Sequence, residues 1–437
     1  MRSATALFPL DCDVETSPYR LVPEGPPRGE LRIGGAKNAA LPLIAAALLA
    51  DEGTTVLHDV PPVRDVQLLL AIIERLGATV EADWETRRVE IDASTLTSQA
   101  PDPDLCGQLR GSLMLMGPLL ARFGATSMGR PGGCSIGARQ FDIHLSGLQR
   151  LGANIQQDGP MLRAAASRLR GASILLDLPT HTGTQQLVMA AVKAEGTTRI
   201  CNAAREPEVA ELCRALVEMG AVIEGIGGAE LVIHGRPRLR GTETTVGPSR
   251  IETALFAMIA CLPGGHLTIR NPGAGAQPVL IKIQEMGAKV WQRGADVLEV
   301  KAPPSLSPCN MVTWPYPGFP TDSQAPLMAL CCFASGRSII RERMYENRFQ
   351  QAPELARMGA DILVHNDLAV VTGPARLRGA DVQATDLQAG AALLLAAMGA
   401  EGSTTIHNFG EVLRGYADLD QSLGEIGARL EPAARTQ

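Results

Sequence analysis

The sequence predicts an α/β protein of two globular domains, each a threefold array of α/β units, on three observations. A short phrase recurs six times along the 437 residues, a second, strand-like phrase recurs beside it, and the apolar content is aliphatic and ample for large cores. The first phrase reads Leu76-Gly77-Ala78, Leu151-Gly152-Ala153, Met219-Gly220-Ala221, Met286-Gly287-Ala288, Met358-Gly359-Ala360 and Ile426-Gly427-Ala428. Its glycines step by 75, 68, 67, 72 and 68 residues. Copies one and four lie 210 residues apart, while copies two and five, and three and six, lie 207 apart, which divides the chain into two halves of three units. A continuous solenoid fits less well, because this period exceeds the roughly 20–50 residues of such arrays.

Each copy closes a helix-period segment, as Val66–Arg75 does before Leu76. The glycine suits the position just past a helix end, where positive φ is required. An alternating strand pattern follows, as in Asp296–Lys301. The second phrase is a small-residue turn entering a β-branched strand: Gly53–His58, Gly196–Ile200, Gly265–Arg270, Gly336–Ile340 and Gly402–His407. Each unit therefore holds at least one helix between strands, and a cleft between the two halves is the natural ligand site.

Composition narrows the function. Aromatic residues make up 3% of the chain, too few for a platform that stacks nucleic-acid bases, and a net charge of −6 argues against a broad polyanion-binding face. Nine scattered cysteines with no CxxC, and seven histidines away from zinc spacing, predict no disulfide framework and no metal site, as in a reducing compartment. Met1–Arg20 lacks a basic segment followed by an apolar core, so no signal peptide is expected. The apolar runs Ala39–Ala50 and Ala389–Met398 are too short to cross a bilayer. A soluble cytoplasmic protein is expected, with no nucleic-acid or membrane partner. The proline-bearing N-terminal segment is expected to be irregular up to Pro27.

Chemistry belongs where the repeat is broken. Gly34–Pro42 is a glycine-rich turn entering an apolar helix with Lys37 and Asn38 at its start, an arrangement suited to anions. Arg130–Arg139 is a loop holding Cys134 between two arginines and ahead of a helix from Asp142, surroundings that lower a thiol pKa toward the reactive range. The other eight cysteines read as inert core residues. In Pro315–Gln324, three prolines predict an extended approach to Asp322 at the start of a helix over Gln324–Cys332, where Asp322 is either a helix cap or a general base. Arg110, Arg348 and Arg414, with Lys37 and Arg139, make a cation set suited to a phosphate- or carboxylate-bearing substrate.

These residues carry a resemblance to the enolpyruvyl transferase family. Its bearers are Gly35–Pro42, Pro131–Arg139, Asn202–Glu208, Phe319–Asp322, Glu346–Phe349 and Arg414–Tyr416, in family order from about residue 30 to 430. The resemblance implies a two-domain inside-out α/β barrel with the active site in the interdomain cleft. It places residues 37–247, with the Cys134 loop, in one domain, and residues 1–36 plus 248–437, with Asp322, Arg348 and Arg414, in the other. It implies transfer of the enolpyruvyl group of phosphoenolpyruvate to the 3′-hydroxyl of a uridine nucleotide with release of phosphate. The main reading of the acceptor is UDP-N-acetylglucosamine, the first committed step of peptidoglycan synthesis; the alternative is a paralogue acting on another uridine nucleotide such as UMP in nucleoside-antibiotic biosynthesis.

By the same resemblance, Lys37, Arg110, Arg139, Arg348 and Arg414 would hold phosphoenolpyruvate. Asn38, Arg139, Asp142, Ile143, Gly183 and Asp322 would face the acceptor nucleotide. Cys134, the target of fosfomycin-type epoxides in the family, would protonate the methylene carbon and could form a covalent phospholactoyl adduct with phosphoenolpyruvate, with Lys37 and Asp322 as its catalytic partners and Asp322 as the base. No cofactor or metal is implied, and a monomer or weak oligomer is expected. The chain departs from the family pattern at Gln140 and Phe141, at Pro179–His181, at Ser249, at Gln388 where an arginine is usual, and at Glu411–Leu413. The nucleotide-facing positions have drifted more than those expected to hold phosphoenolpyruvate.

Overall fold

The repeat phrases become six small sheets. The structure, a computed structural model, describes residues 17–132 and 141–433. Five of the sheets among these residues have four strands and one has three. One unit shows the shared plan. Strand Ser173–Leu175 leads through helix His181–Ala191 to a parallel strand, Thr197–Cys201, with Ile200 opposite Ile174. Helix Pro207–Glu218 then leads to the hairpin Val222–Glu224 and Glu230–His234, whose second strand pairs antiparallel with Thr197–Cys201. The five strands of the β-branched phrase all hold this second position. The sixth copy, Ala125–Gly129, lies in the three-stranded sheet and was not evident from composition, since Gly124-Ala125-Thr126-Ser127-Met128 has little β-branched character.

All six glycines of the first phrase have φ between +93° and +106° and follow a helix, as their sequence positions predict. At Gly77 the requirement is double: φ is +100° and an added Cβ would lie 2.6 Å from the Thr97 hydroxyl.

The chain divides into two compact units of described residues, one spanning Gly35 to Gly247 and the other comprising the segments before and after it. Strand Arg28–Arg32 belongs to the second unit, and the chain then runs into helix Lys37–Ala47 of the first. Strand Glu243–Thr245 closes the first unit, and helix Arg250–Ile259 resumes the second.

The helix that leads into each β-branched strand at the second position is the buried one. Helices Lys37–Ala47 and His181–Ala191 in the first unit, and Arg250–Ile259, Gln324–Cys331 and Leu387–Gly399 in the second, are buried over nearly their whole circumference. This is where the apolar runs of the sequence reside, and no described helix is long and apolar enough to cross a membrane. The helix after the second strand, such as Arg64–Arg75, is amphipathic and buries one face only.

Two expectations need correction. Tyr19–Pro23 is not irregular: it forms a strand between Thr404–His407 and Ala428–Pro432, with Leu21 fully buried. Its prolines, Pro18 and Pro23, fall just before the strand and at its last residue, so they mark its bounds rather than prevent it. Nor is Pro315–Pro320 extended. It turns back on itself, with Gly318 N donating to Pro315 O and Trp314 N to Phe319 O, both at 2.9 Å, around a cis Tyr316–Pro317 bond.

Candidate active site

The repeat places chemistry-bearing residues at one kind of position. Five of the central helices have polar residues at their starts: Lys37 and Asn38, His181, Arg250 with Glu252, Asp322 just ahead of Gln324, and Gln388. A helix N-terminus has unpaired N–H groups and attracts anions. Sequence reasoning passed over Arg250 and Glu252, although their equivalence to Asp322 and Gln388 could be read from the repeat.

In the first unit, Gly35 shapes the turn into the Lys37 helix: an added Cβ there would stand 1.9 Å from the Asp59 carbonyl. Ala36 precedes the helix without a capping side chain. Lys37 Nζ donates to Asp65 Oδ2 at 3.1 Å, with the two side chains 15% and 8% exposed. The Lys37 charge is therefore held in one place by a partner on the next helix. Asn38 is half-buried beside it.

Of the other predicted nucleotide-facing residues, the first unit holds Asp142, Ile143 and Gly183, while Asp322 lies in the second. Asp142 and Ile143 open helix Asp142–Arg150, as expected. His144, one residue on, is buried and bonds through Nε2 to Thr182 Oγ1 at 3.0 Å, bridging to the helix that carries Gly183. Gly183 N in turn donates to the Thr180 hydroxyl, so the drifted Pro179–His181 segment supplies the cap of that helix. The Arg110 guanidinium lies over the Phe141 ring, 5.3 Å from its centre, so a family departure is also a cation–π platform. Burial first, and the Arg110 charge second, lower the His144 pKa to about 4, so its imidazole is neutral at physiological pH. Cys134, Arg139 and Gln140 lie outside the described residues. Gly132, which leads into that stretch, packs so closely that a Cβ would sit 1.7 Å from the Gly107 carbonyl.

In the second unit Asp322 is not a helix cap. Thr321–Ser323 is a single 3-10 turn, and the Asp322 carboxylate accepts from Arg348 Nη2 at 3.0 Å. Arg348 is 5% exposed and Asp322 33%, so the base candidate stays reachable while its partner is buried. Arg414 pairs with Glu411, one of the departures, at 3.1 Å. Tyr416 is fully enclosed and donates to Gln388 Oε1 at 3.1 Å. Burial chiefly raises its phenol pKa well above the usual value, with Glu252, Asp322 and Asp386 adding to the rise and Arg348 opposing it. Asp322, Arg348, Gln388, Tyr416 and Glu252 thus share one electrostatic neighbourhood. Ser249, another departure, is the cap of helix Arg250–Ile259 and accepts from Glu252 N.

The described cysteines other than Cys201 are buried, and burial pushes Cys106 and Cys309 up to about 11, which suits the inert reading. Cys201 is only partly buried and donates weakly to Glu230.

A chain of six repeated α/β units with these residues at its central helix starts belongs to the EPSP synthase (3-phosphoshikimate 1-carboxyvinyltransferase) family of enolpyruvyl transferases, whose model matches residues 22–423. Among its relatives, UDP-N-acetylglucosamine 1-carboxyvinyltransferase of Acinetobacter baylyi is 45% identical over 409 residues, covering 92% of this chain and 96% of that protein. The protein of the same name from Campylobacter fetus is 43% identical over 407 residues, with the same coverage. Among solved structures, the enolpyruvyl transferase NikO from Streptomyces tendae superposes with a TM-score of 0.86 at 27% identity, over 96% of this chain and all of that one. EPSP synthase from Acinetobacter baumannii shares the fold, with a TM-score of 0.73 at 19% identity over 96% of this chain and all of that one.

Proposed function

We propose that this chain transfers the enolpyruvyl group of phosphoenolpyruvate to the 3′-hydroxyl of UDP-N-acetylglucosamine, releasing phosphate, as a cytoplasmic step of peptidoglycan synthesis. The observation that carries the choice of acceptor is the 43–45% identity, over 92% of the chain, to relatives named for that acceptor. The alternative acceptor, a smaller uridine nucleotide, draws on the drift at Phe141 and Pro179–His181, but those residues retain structural roles as platform and cap.

In this reading the Lys37 group of the first unit and the Asp322 group of the second act on one substrate pair. Lys37, Arg110, Arg139, Arg348 and Arg414 hold the phosphate and carboxylate of phosphoenolpyruvate. Asn38, Asp142, Ile143 and Gly183 face the nucleotide. The acceptor hydroxyl adds to C2 of phosphoenolpyruvate as Asp322 takes its proton and the Cys134 thiol protonates C3. C3 then returns a proton to the Cys134 thiolate as the C2–O bond to phosphate breaks, and the departing phosphate takes up the proton held by Asp322, which restores the enol ether and both side chains. The cationic groups stabilise the negative charge that gathers on the leaving phosphate. The reading calls for no metal or organic cofactor, and alkylation of Cys134 by fosfomycin-type epoxides is part of it.

The test is phosphate release from phosphoenolpyruvate across UDP-N-acetylglucosamine, UDP, UMP and uridine. A kcat/KM for the amino-sugar nucleotide at least about 100-fold above that for UMP supports the reading. Preference for UMP overturns it in favour of the alternative.

A further inference from the structure

The repeat holds one more position whose chemistry changes in a single unit. Where the second strand of a unit ends, the next residue sits opposite the end of the first strand. Backbone bonds mark the equivalence: Leu176 N to Cys201 O, Ile33 N to Arg270 O, Ala384 N to His407 O, Val246 N to His58 O and Thr313 N to Arg341 O, all between 2.9 and 3.1 Å. In four of these units the next residue is Asn202, Asn271, Asn408 or Asp59, each with φ between +52° and +57°. The three asparagines donate from Nδ2 to the carbonyl of the facing residue, Leu176, Ile33 or Ala384. They are turn residues that stitch two strand ends together.

In the unit that carries Asp322 the position is Glu342, with no positive φ, and its facing residue is Thr313, where the sister units have Leu, Ile, Ala or Val. Both members of the pair have changed together. Glu342 is 3% exposed and Thr313 fully buried. A buried carboxylate persists only where donors satisfy it, and Glu342 has four. The Thr313 and Thr321 hydroxyls donate at 2.8 and 2.9 Å, and the backbone N–H groups of Met344 and Tyr345 donate at 2.7 and 3.3 Å. Thr321 is the residue before Asp322. Tyr345 offers its ring to Arg348, whose guanidinium lies 5.7 Å from the ring centre and holds Asp322. One carboxylate thus ties down both arms of the Asp322–Arg348 pair.

We infer that Glu342 is a positioning residue that fixes Asp322 in register for the acceptor hydroxyl; this rests on the proposed reading of Asp322 as the base. Asparagine, the residue of the sister units, is one methylene shorter and cannot satisfy Thr321 and the Met344–Tyr345 backbone together. Glutamine keeps the length and one acceptor oxygen, while the Thr321 hydroxyl can turn to accept from its amide.

The experiment compares Glu342→Asn, Glu342→Gln, Thr321→Val and Asp322→Asn in the full chain, reading kcat, both KM values and, by intact mass, the phosphoenolpyruvate adduct on Cys134. Displacement of a reacting group by about 1 Å costs about 100-fold, so Glu342→Asn is expected to lose about that in kcat, with a smaller rise in KM for phosphoenolpyruvate through the Tyr345–Arg348 arm and the adduct still formed, whereas Thr321→Val leaves that KM nearly unchanged. Glu342→Gln is expected to recover most of the loss. Should Glu342→Asn fail to fold, Thr321→Val, which cuts only the tie to the Asp322 turn, decides by the same drop in kcat with the adduct retained. Normal kcat in Glu342→Asn, or in Thr321→Val, with Asp322→Asn inactive overturns the role of Glu342 alone. Normal turnover in Asp322→Asn overturns the base assignment itself.

Discussion

A carboxylate that takes a proton from a bound hydroxyl has to be fixed in place and still open to its substrate. Asp322 meets both conditions by resting on a partner that is itself buried, Arg348. Replacing Arg348 with alanine leaves the carboxylate without its charge-assisted bond and Tyr345 without its cation. Arg348→Ala is expected to cost about 2 kcal/mol of stability, read from urea midpoints, and at least about 10-fold in kcat. Little of this pairing was legible beforehand. Asp322 and Arg348 lie 26 residues apart, and a carboxylate at a helix start reads equally well as a cap. Candidates such as Asp322 and Arg348 could be named from the sequence; that these two touch is decided by tertiary packing.

At the scale of elements, the sequence was most informative where backbone geometry dictates residue type. The glycine after each helix and the β-branched strand entries were legible because left-handed φ and strand packing leave few alternatives. The strand at Tyr19–Pro23 was not, since its two partners lie some four hundred residues further on and its prolines signal a loop. Glu342 escaped notice for a related reason: alone it is an ordinary glutamate, and only alignment with Asn202, Asn271 and Asn408 shows it to be the exception. The glycines allow backbone and steric costs to be separated. Gly359 has φ +103° and no neighbour closer than 3.5 Å to an added Cβ, whereas Gly77 has φ +100° with the Thr97 hydroxyl at 2.6 Å. Gly359→Ala is expected to cost about 1 kcal/mol, the backbone price alone, and Gly77→Ala clearly more, by thermal unfolding of the two variants side by side.

At the scale of the molecule, two buried groups of the first unit push stability in opposite directions as pH changes. Burial lowers the His144 pKa to about 4, so the unfolded chain binds the extra proton between about 6.5 and 4 and stability falls as pH drops through that window. Burial raises Glu211, which accepts from Gly247 N at 2.7 Å, to about 7, so the folded chain binds the extra proton between 4.5 and about 7 and stability falls as pH rises. Each effect amounts to about 3 kcal/mol over its window, and from pH 4.5 to 6.5 they run against each other. Relative to the unsubstituted protein, His144→Gln is expected to lose stability from pH 5 to 7 and Glu211→Gln to gain it, by denaturant titration at both pH values. Parallel profiles for all three proteins would contradict this assignment.

The strand at Tyr19–Pro23 also sets a timetable. It leaves the ribosome some four hundred residues before the segments it pairs with, Thr404–His407 and Ala428–Pro432. At about 5–20 residues per second, it waits on the order of tens of seconds for them. The stretch from Gly35 to Gly247, by contrast, has all its own strands as soon as Gly247 has emerged. Synthesis therefore delivers one unit ready to fold while the other holds an open seam until Ala428–Pro432 has emerged, and that seam is where a nascent chain most needs protection from unwanted pairing.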